Sequence, residues 1–197
     1  TFSSRGLGDV YKRQISKIPI RNFDEISFDK YSTMVIVSGD YKFNDLQIQR
    51  IKDWASRGNT IISIGSGTKF LIENQIVEEE LLHSDNNSDK DLYLPYVDAS
   101  NNSGKEQIGG IILRTNVDLT HPLGFGLEDT NLPVYKNNTI WIKPSKNRYS
   151  SVVRYAEDPL IDGFITDNNH KKLRSTVSLL VSKIGEGRAV MFADNPN

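Results

Sequence analysis

Apolar residues in the first half of the chain occur in short continuous runs that alternate with helix-spaced faces. Residues 34–37 and 60–64 are rich in β-branched side chains, a pattern typical of strands buried on both faces. Between them, apolar positions at helical spacing follow Asn44 and Asp45, two candidate N-cap residues, and stop before Gly58. A second helix is predicted over 68–73. Strand, helix, strand and helix in this order predict a βαβ unit with parallel strands and a right-handed crossover.

The second half has a weaker pattern of shorter segments. A glycine pair at 185 and 187 predicts a hairpin, and residues 83–107, rich in Asn, Asp, Ser and Lys, predict a long polar surface excursion. A helix within 171–181 competes with the strand predicted there, and 15–20 is a further candidate strand. The remaining candidate strands are 108–113, 139–142, 152–155, 161–166, 177–183 and 188–192.

Both ends of the chain have an unusual character. Residues 1–14 show no periodicity, and their run RGLGDVYKRQ resembles translated sequencing-adapter sequence, so we expect a non-native tail without function. The chain stops just after the apolar segment 189–193. We therefore expect one α/β domain over 15–197 that is truncated at its C-terminus.

Composition excludes several classes of chemistry. The net charge of −1 argues against nucleic acid or an anionic membrane as partner, and no apolar run is long enough to span a bilayer. The absence of cysteine removes disulfides, thiolate zinc sites and cysteine nucleophiles. His83, His121 and His170 are widely separated, so no metal site is predicted. Residues 85–91 lack the glycine and glutamate of a calcium loop and are interpreted as solvated.

Ser66 lies between two glycines where a predicted strand turns into a helix. This is the place of a nucleophile elbow, with His121 or His170 as nominal triad partners. The full Gly-x-Ser-x-Gly pattern is broken at Ile64. The simpler interpretation is that the glycines allow a tight turn and that Ser66 begins the helix.

Several segments together resemble known families. Residues 31–39 (YSTMVIVSG), 53–60 (DWASRGNT) and 61–67 (IISIGSG) are similar to the class I glutamine amidotransferase-like superfamily, in which the elbow carries a catalytic cysteine. Three later segments make the resemblance more specific: 120–126 (THPLGFG), 158–164 (DPLIDGF) and 185–197. They are similar to the C-terminal amidotransferase-like domain of bacterial zinc carboxypeptidases of the carboxypeptidase A type.

The resemblance implies a flavodoxin-like parallel sheet flanked by helices, with additional β-hairpins. It also implies a non-catalytic accessory domain, a pseudoenzyme without cofactor, in a secreted or periplasmic metallopeptidase. The zinc and the catalytic glutamate would belong to an upstream carboxypeptidase domain, the expected partner. Two alternatives stay open: a serine hydrolase using Ser66, and a ligand-binding module at the carboxyl ends of the strands, near Gly39 and Ser66. No catalytic residue is predicted under the first interpretation.

Overall fold

The computed structural model describes residues 15–82, 95–98 and 107–196. The chain divides into two units, Thr1–Lys30 and Tyr31–Asn197. The predicted adapter tail, His83 and most of the predicted polar excursion lie outside the described residues.

The described part of the first unit contains two short 3-10 turns, Ile20–Glu25 and Phe28–Lys30. They bring the rings of Phe23 and Phe28 together edge to face, with centroids 5.0 Å apart. The strand predicted over 15–20 is wrong: residues 15–19 have no regular secondary structure, and Ile20 begins the first 3-10 turn.

The second unit is built on a mixed sheet of seven described strands in the order β1-β2-β7-β6-β5-β3-β4. The strands are β1 (Thr33–Ile36), β2 (Thr60–Ile64), β3 (Ile111–Val117), β4 (Asn131–Lys136), β5 (Ser151–Asp162), β6 (Val177–Ile184) and β7 (Gly187–Phe192). Pairing is parallel among β1, β2 and β7 and antiparallel between all other neighbours. The α/β class is confirmed.

The parallel arrangement predicted for the sheet is limited to three of these strands. The predicted hairpin joins β6 to β7, with Ile184 opposite Gly187 and a positive φ of 57° at Gly185. A two-residue turn can join only antiparallel strands. The sheet is therefore mixed, and its parallel part is the region that carries the candidate site.

The described residues contain three α-helices beside the sheet: α1 (Asp45–Ser56), α2 (Ser66–Glu73) and α3 (Asp167–Leu173). The predicted cap of α1 is confirmed. The Asn44 side chain accepts a hydrogen bond from the Gln47 backbone, and the Gln47 side chain accepts one in return. The buried face of α1 contains Ile51, Trp54 and Ala55.

The prediction that β1 is buried on both faces is wrong. Among the described strands, β1 lies at the edge of the sheet and pairs only with β2, and Val35 and Val37 are more than half exposed. A run of β-branched residues favours extended backbone, but it does not distinguish an edge strand from a central one.

Residues 152–155 and 161–166, predicted as separate strands, are largely replaced by the single long strand β5. Its pairing with β3 is irregular between Tyr155 and Leu160, which accommodates Pro159 where a regular ladder would need its missing N–H. The strand predicted over 139–142 is reduced to isolated bridges at Ile142.

The sheet is curled, so that β4, the last strand in the pairing order, contacts the segment that follows β7. The Asn195 N–H donates a hydrogen bond to the Tyr135 carbonyl oxygen of β4 at 3.2 Å. Inside the curl, buried apolar residues form a core that includes Ile111, Leu113 and Trp141. None of the described helices has the length and apolar character needed to cross a membrane.

Candidate functional site

The carboxyl ends of β1, β2 and β7 lie at the same end of the sheet because these strands are parallel. At this end of the sheet, Gly65 makes the turn between β2 and α2, with φ 55° and ψ −121°. Its N–H donates to the Phe192 carbonyl oxygen at 2.9 Å, and the neighbouring Ser38 hydroxyl donates to the Ile64 carbonyl oxygen at 3.2 Å. This backbone conformation is one that side chains with a Cβ rarely adopt.

A side chain at this turn would displace the Ser38 hydroxyl. A Cβ on Gly65 would lie 2.3 Å from the Ser38 Oγ and 3.9 Å from the Asn138 Nδ2. The position of unusual backbone conformation is therefore Gly65, one residue before the Ser66 of the nucleophile-elbow alternative.

Ser66 is the first residue of α2, as the simpler interpretation of the glycine turn expects, and the helix begins two residues before the predicted range 68–73. Its Oγ accepts a hydrogen bond from the Gly39 N–H at 2.8 Å and lies 3.0 Å from the Gly39 carbonyl oxygen, to which it donates. The hydroxyl proton is thus given to the backbone instead of a base. The structure brings the two predicted ligand-binding residues together, and ligand binding by them stays a prediction.

The buried hydroxyls of Ser63, in β2, and Thr68, in α2, hydrogen-bond this helix to the sheet. The Thr68 Oγ1 donates to the Phe192 carbonyl oxygen at 2.9 Å. The Ser63 Oγ is 2.8 Å from the Thr68 Oγ1, and it is the donor in this pair because the threonine proton is already used. These bonds join α2 to both β2 and β7.

The structure does not assemble the triad considered for Ser66. In the described residues no hydrogen bond joins Ser66 to a histidine. The Nδ1 of His121 accepts from the Leu123 N–H at 3.1 Å in the turn after β3, and His170 lies in α3. The parts of the chain that the structure describes contain no group of three His, Cys, Asp or Glu side chains placed to hold a metal ion.

A buried polar cluster behind the turn was not predicted from the sequence. It contains Lys136 from β4, Tyr155 from β5, Ser178 from β6 and Asp194 just after β7, all buried. The Lys136 Nζ is 3.0 Å from the Asp194 Oδ1. The Tyr155 hydroxyl donates to the same carboxylate at 2.8 Å, and the Ser178 hydroxyl donates to it at 2.5 Å.

Burial dominates the electrostatics of this cluster. Desolvation lowers the pKa of Lys136, and the Asp194 carboxylate opposes that shift. The pKa of Tyr155 is raised well above its ordinary value, first by burial and then by the charge of Asp194. The Lys136 ammonium also bonds the Ile140 carbonyl oxygen at 2.9 Å. The cluster is a closed set of donors and acceptors that joins four strands or their ends.

Asn138 connects this buried cluster to the elbow. Its Oδ1 is 3.4 Å from the Lys136 Nζ and accepts from the Ile140 N–H at 3.0 Å. Its Nδ2 donates to the Ala193 carbonyl oxygen at 2.9 Å. The strand that ends at Lys136 was not predicted from the sequence, and nothing in the spacing of Lys136 and Asp194 pairs them.

No protein-family model matches the chain, and no curated protein is significantly similar to it. Among solved structures, a cytoplasmic protein from Salmonella typhimurium LT2 is similar with a TM-score of 0.57 and 11% sequence identity. The similarity covers 98% of this chain and 76% of the Salmonella protein.

Two proteins described as ThuA-like are also similar. The one from Parabacteroides merdae has a TM-score of 0.47 and 12% identity, over 85% of this chain and 61% of its own. The one from Bacteroides uniformis has a TM-score of 0.46 and 10% identity, over 96% of this chain and 71% of its own. The similarity to the Salmonella protein shows that the chain shares a mixed α/β fold with a solved structure.

Proposed function

We propose that residues 15–197 form a non-catalytic, amidotransferase-like accessory domain of a larger bacterial zinc carboxypeptidase that is secreted or periplasmic. The observation that carries the non-catalytic part is Gly65. In a nucleophile elbow the strained strand-to-helix residue presents the reactive side chain. Here that residue has no side chain, and the adjacent Ser38 hydroxyl occupies the space a Cβ would need.

The hydroxyl of Ser66 does not replace the missing nucleophile. An activated serine needs a base within hydrogen-bond reach of its Oγ. The Ser66 Oγ instead bonds both backbone groups of Gly39. This geometry favours a structural role in which Ser66 ties α2 to the loop after β1.

The described residues do not fit a catalytic zinc. Such a site needs about three protein ligands and an open position for water. The Nδ1 of His121 already accepts a backbone hydrogen bond, and no described cluster offers three ligands. In this proposal the zinc and its glutamate belong to the upstream carboxypeptidase domain, which is the partner of this one.

The carboxypeptidase parent is supported by the order of motifs in this chain. Residues 120–126 form the turn after β3, residues 158–164 include the end of β5, and residues 185–197 include β7 and Asp194. The first two motifs lie in the antiparallel part of the sheet, whereas the third includes β7, which pairs parallel with β2 and antiparallel with β6.

Replacing Ser66 by alanine tests the catalytic alternative. We expect Ser66→Ala to lower the free energy of unfolding by about 1–2 kcal/mol, since two hydrogen bonds to Gly39 are lost. We also expect hydrolysis of p-nitrophenyl acetate to stay at the same background rate in both proteins. Ser175→Ala, which removes a hydroxyl that donates to the Lys172 carbonyl oxygen in the last turn of α3, is the matched control. Esterase activity that the unsubstituted domain shows and that only Ser66→Ala abolishes would establish a serine hydrolase.

A further inference from the structure

We propose that the loop after β3, residues 118–129, is the surface by which this domain docks onto the catalytic domain of its parent protein. The inference rests on the function proposed above and names the surface that the accessory role uses. The receiving site on the catalytic domain would be an apolar pocket edged by lysine or arginine side chains. We call residues 118–129 the docking loop.

The docking loop exposes four large apolar side chains within nine residues. Phe125 is 94% exposed, and Leu119, Leu123 and Leu127 are between 37% and 45% exposed. Single exposed apolar residues are ordinary on a protein surface, but a contiguous group indicates an interaction site. Aromatic residues at the centre of such a group commonly provide most of the binding free energy.

The loop is held in one conformation by its own hydrogen bonds. The Asp118 carboxylate accepts from the Thr120 N–H at 2.9 Å and from the Thr120 hydroxyl at 2.6 Å. The Gly124 N–H donates to the His121 carbonyl oxygen at 2.8 Å, and the Leu127 N–H donates to the Gly124 carbonyl oxygen at 3.1 Å. A loop that is already ordered loses little conformational entropy on binding.

Close packing at Gly124 adds to this order. A Cβ there would lie 2.6 Å from the Asp118 carbonyl oxygen, so the turn folds back directly onto the start of the loop. Phe125, the next residue, is held at the outer side of this compact turn. The exposed ring is therefore presented by a fixed scaffold.

Charge decides which kind of partner the loop fits. Asp118, Glu128 and Asp129 flank the apolar side chains, and residues 118–131 contain no lysine or arginine. The hydrogen bonds from Thr120 lower the pKa of Asp118, so this carboxyl stays ionised in neutral solution. Arg154, from β5, lies close enough to act on the Asp118 carboxylate and offsets part of its charge. The remaining negative charge, chiefly that of Glu128 and Asp129, matches a pocket with a basic rim and opposes binding to an anionic lipid surface.

Hydrogen exchange tests the proposal in the full-length parent, obtained from the uninterrupted reading frame, against the isolated chain. We expect the amides of 123–127 to exchange at least tenfold more slowly in the parent. Phe125→Ser and, separately, Leu127→Asn in the parent should remove this protection without changing the melting temperature of the isolated chain. Tyr149→Ser, at an aromatic residue that is similarly exposed but lies outside the loop, is the matched control and should keep the protection.

Each other outcome contradicts the proposal in a distinguishable way. Equal exchange of 123–127 in both proteins, with protection elsewhere on this domain, would refute the loop and leave the accessory role standing. A reading frame without a peptidase domain would overturn both. A dimer of the isolated chain in sedimentation, lost in Phe125→Ser, would make a second copy the occupant. Phe125-dependent binding to phosphatidylcholine–phosphatidylglycerol vesicles would show that the docking loop binds a membrane instead of a protein domain.

Discussion

Replacing Asp194 by alanine is expected to lower the free energy of unfolding by about 3–5 kcal/mol, because it leaves a buried charge unpaired. The carboxylate accepts hydrogen bonds from Lys136, Tyr155 and Ser178, and the Lys136 side chain is completely buried. Without Asp194 the ammonium keeps only its bonds to Asn138 and Ile140. Urea denaturation followed by tryptophan fluorescence measures the loss.

Two further variants separate the buried charge from ordinary truncation. Lys143→Ala removes an exposed ammonium that is 3.0 Å from the Glu80 carboxylate, and we expect a loss of less than about 1 kcal/mol. The double variant Lys136→Met with Asp194→Asn removes both charges and keeps an acceptor for Tyr155 and Ser178. It should be more stable than Asp194→Ala. An Asp194→Ala variant as stable as Lys143→Ala would contradict a structural role for the cluster.

Gly65→Ala is expected to destabilise the domain by about 2–4 kcal/mol. Its backbone conformation alone costs a side-chain-bearing residue about 1–3 kcal/mol. The added methyl group would also lie 2.3 Å from the Ser38 Oγ, so the hydroxyl must leave its hydrogen bond to Ile64. Thermal and urea unfolding of the variant measure the total effect.

The glycines and serines of this chain supply matched controls for Gly65. Gly126 also has a positive φ, of 94°, but a Cβ there would meet nothing within 4 Å, so Gly126→Ala isolates the conformational part. Ser38→Ala combined with Gly65→Ala removes the close contact and should recover part of the stability. A Gly65→Ala variant no less stable than Gly126→Ala would show that the elbow has room for a side chain.

The parts of the fold that local sequence could predict are those fixed by local chemistry. Asn44 and Gln47 form a capping box within four residues, and Gly185 supplies the positive φ of a two-residue hairpin. The order of strand, helix, strand and helix from β1 to α2 follows from hydrophobic spacing alone. In each case the residues that decide the structure are neighbours in sequence.

The parts that could not be predicted depend on pairing between distant residues. The edge position of β1 depends on which strands its neighbours select, and its run of β-branched residues is compatible with either position. Lys136 and Asp194 are 58 residues apart, and their contact requires the sheet to curl. The sequence indicated that Gly65 and Gly67 permit the turn before α2, but the backbone path decides which of them takes the positive φ, and it is Gly65.

The most direct test of the central claim compares release of C-terminal amino acids from a peptide by the full-length parent and by residues 15–197 alone. The non-catalytic accessory role predicts that the parent releases amino acids, loses this activity on chelation and regains it with zinc. The isolated domain should release none and should take up no stoichiometric zinc after dialysis. Release by residues 15–197 alone, insensitive to chelation and lost in Ser66→Ala, would contradict the account.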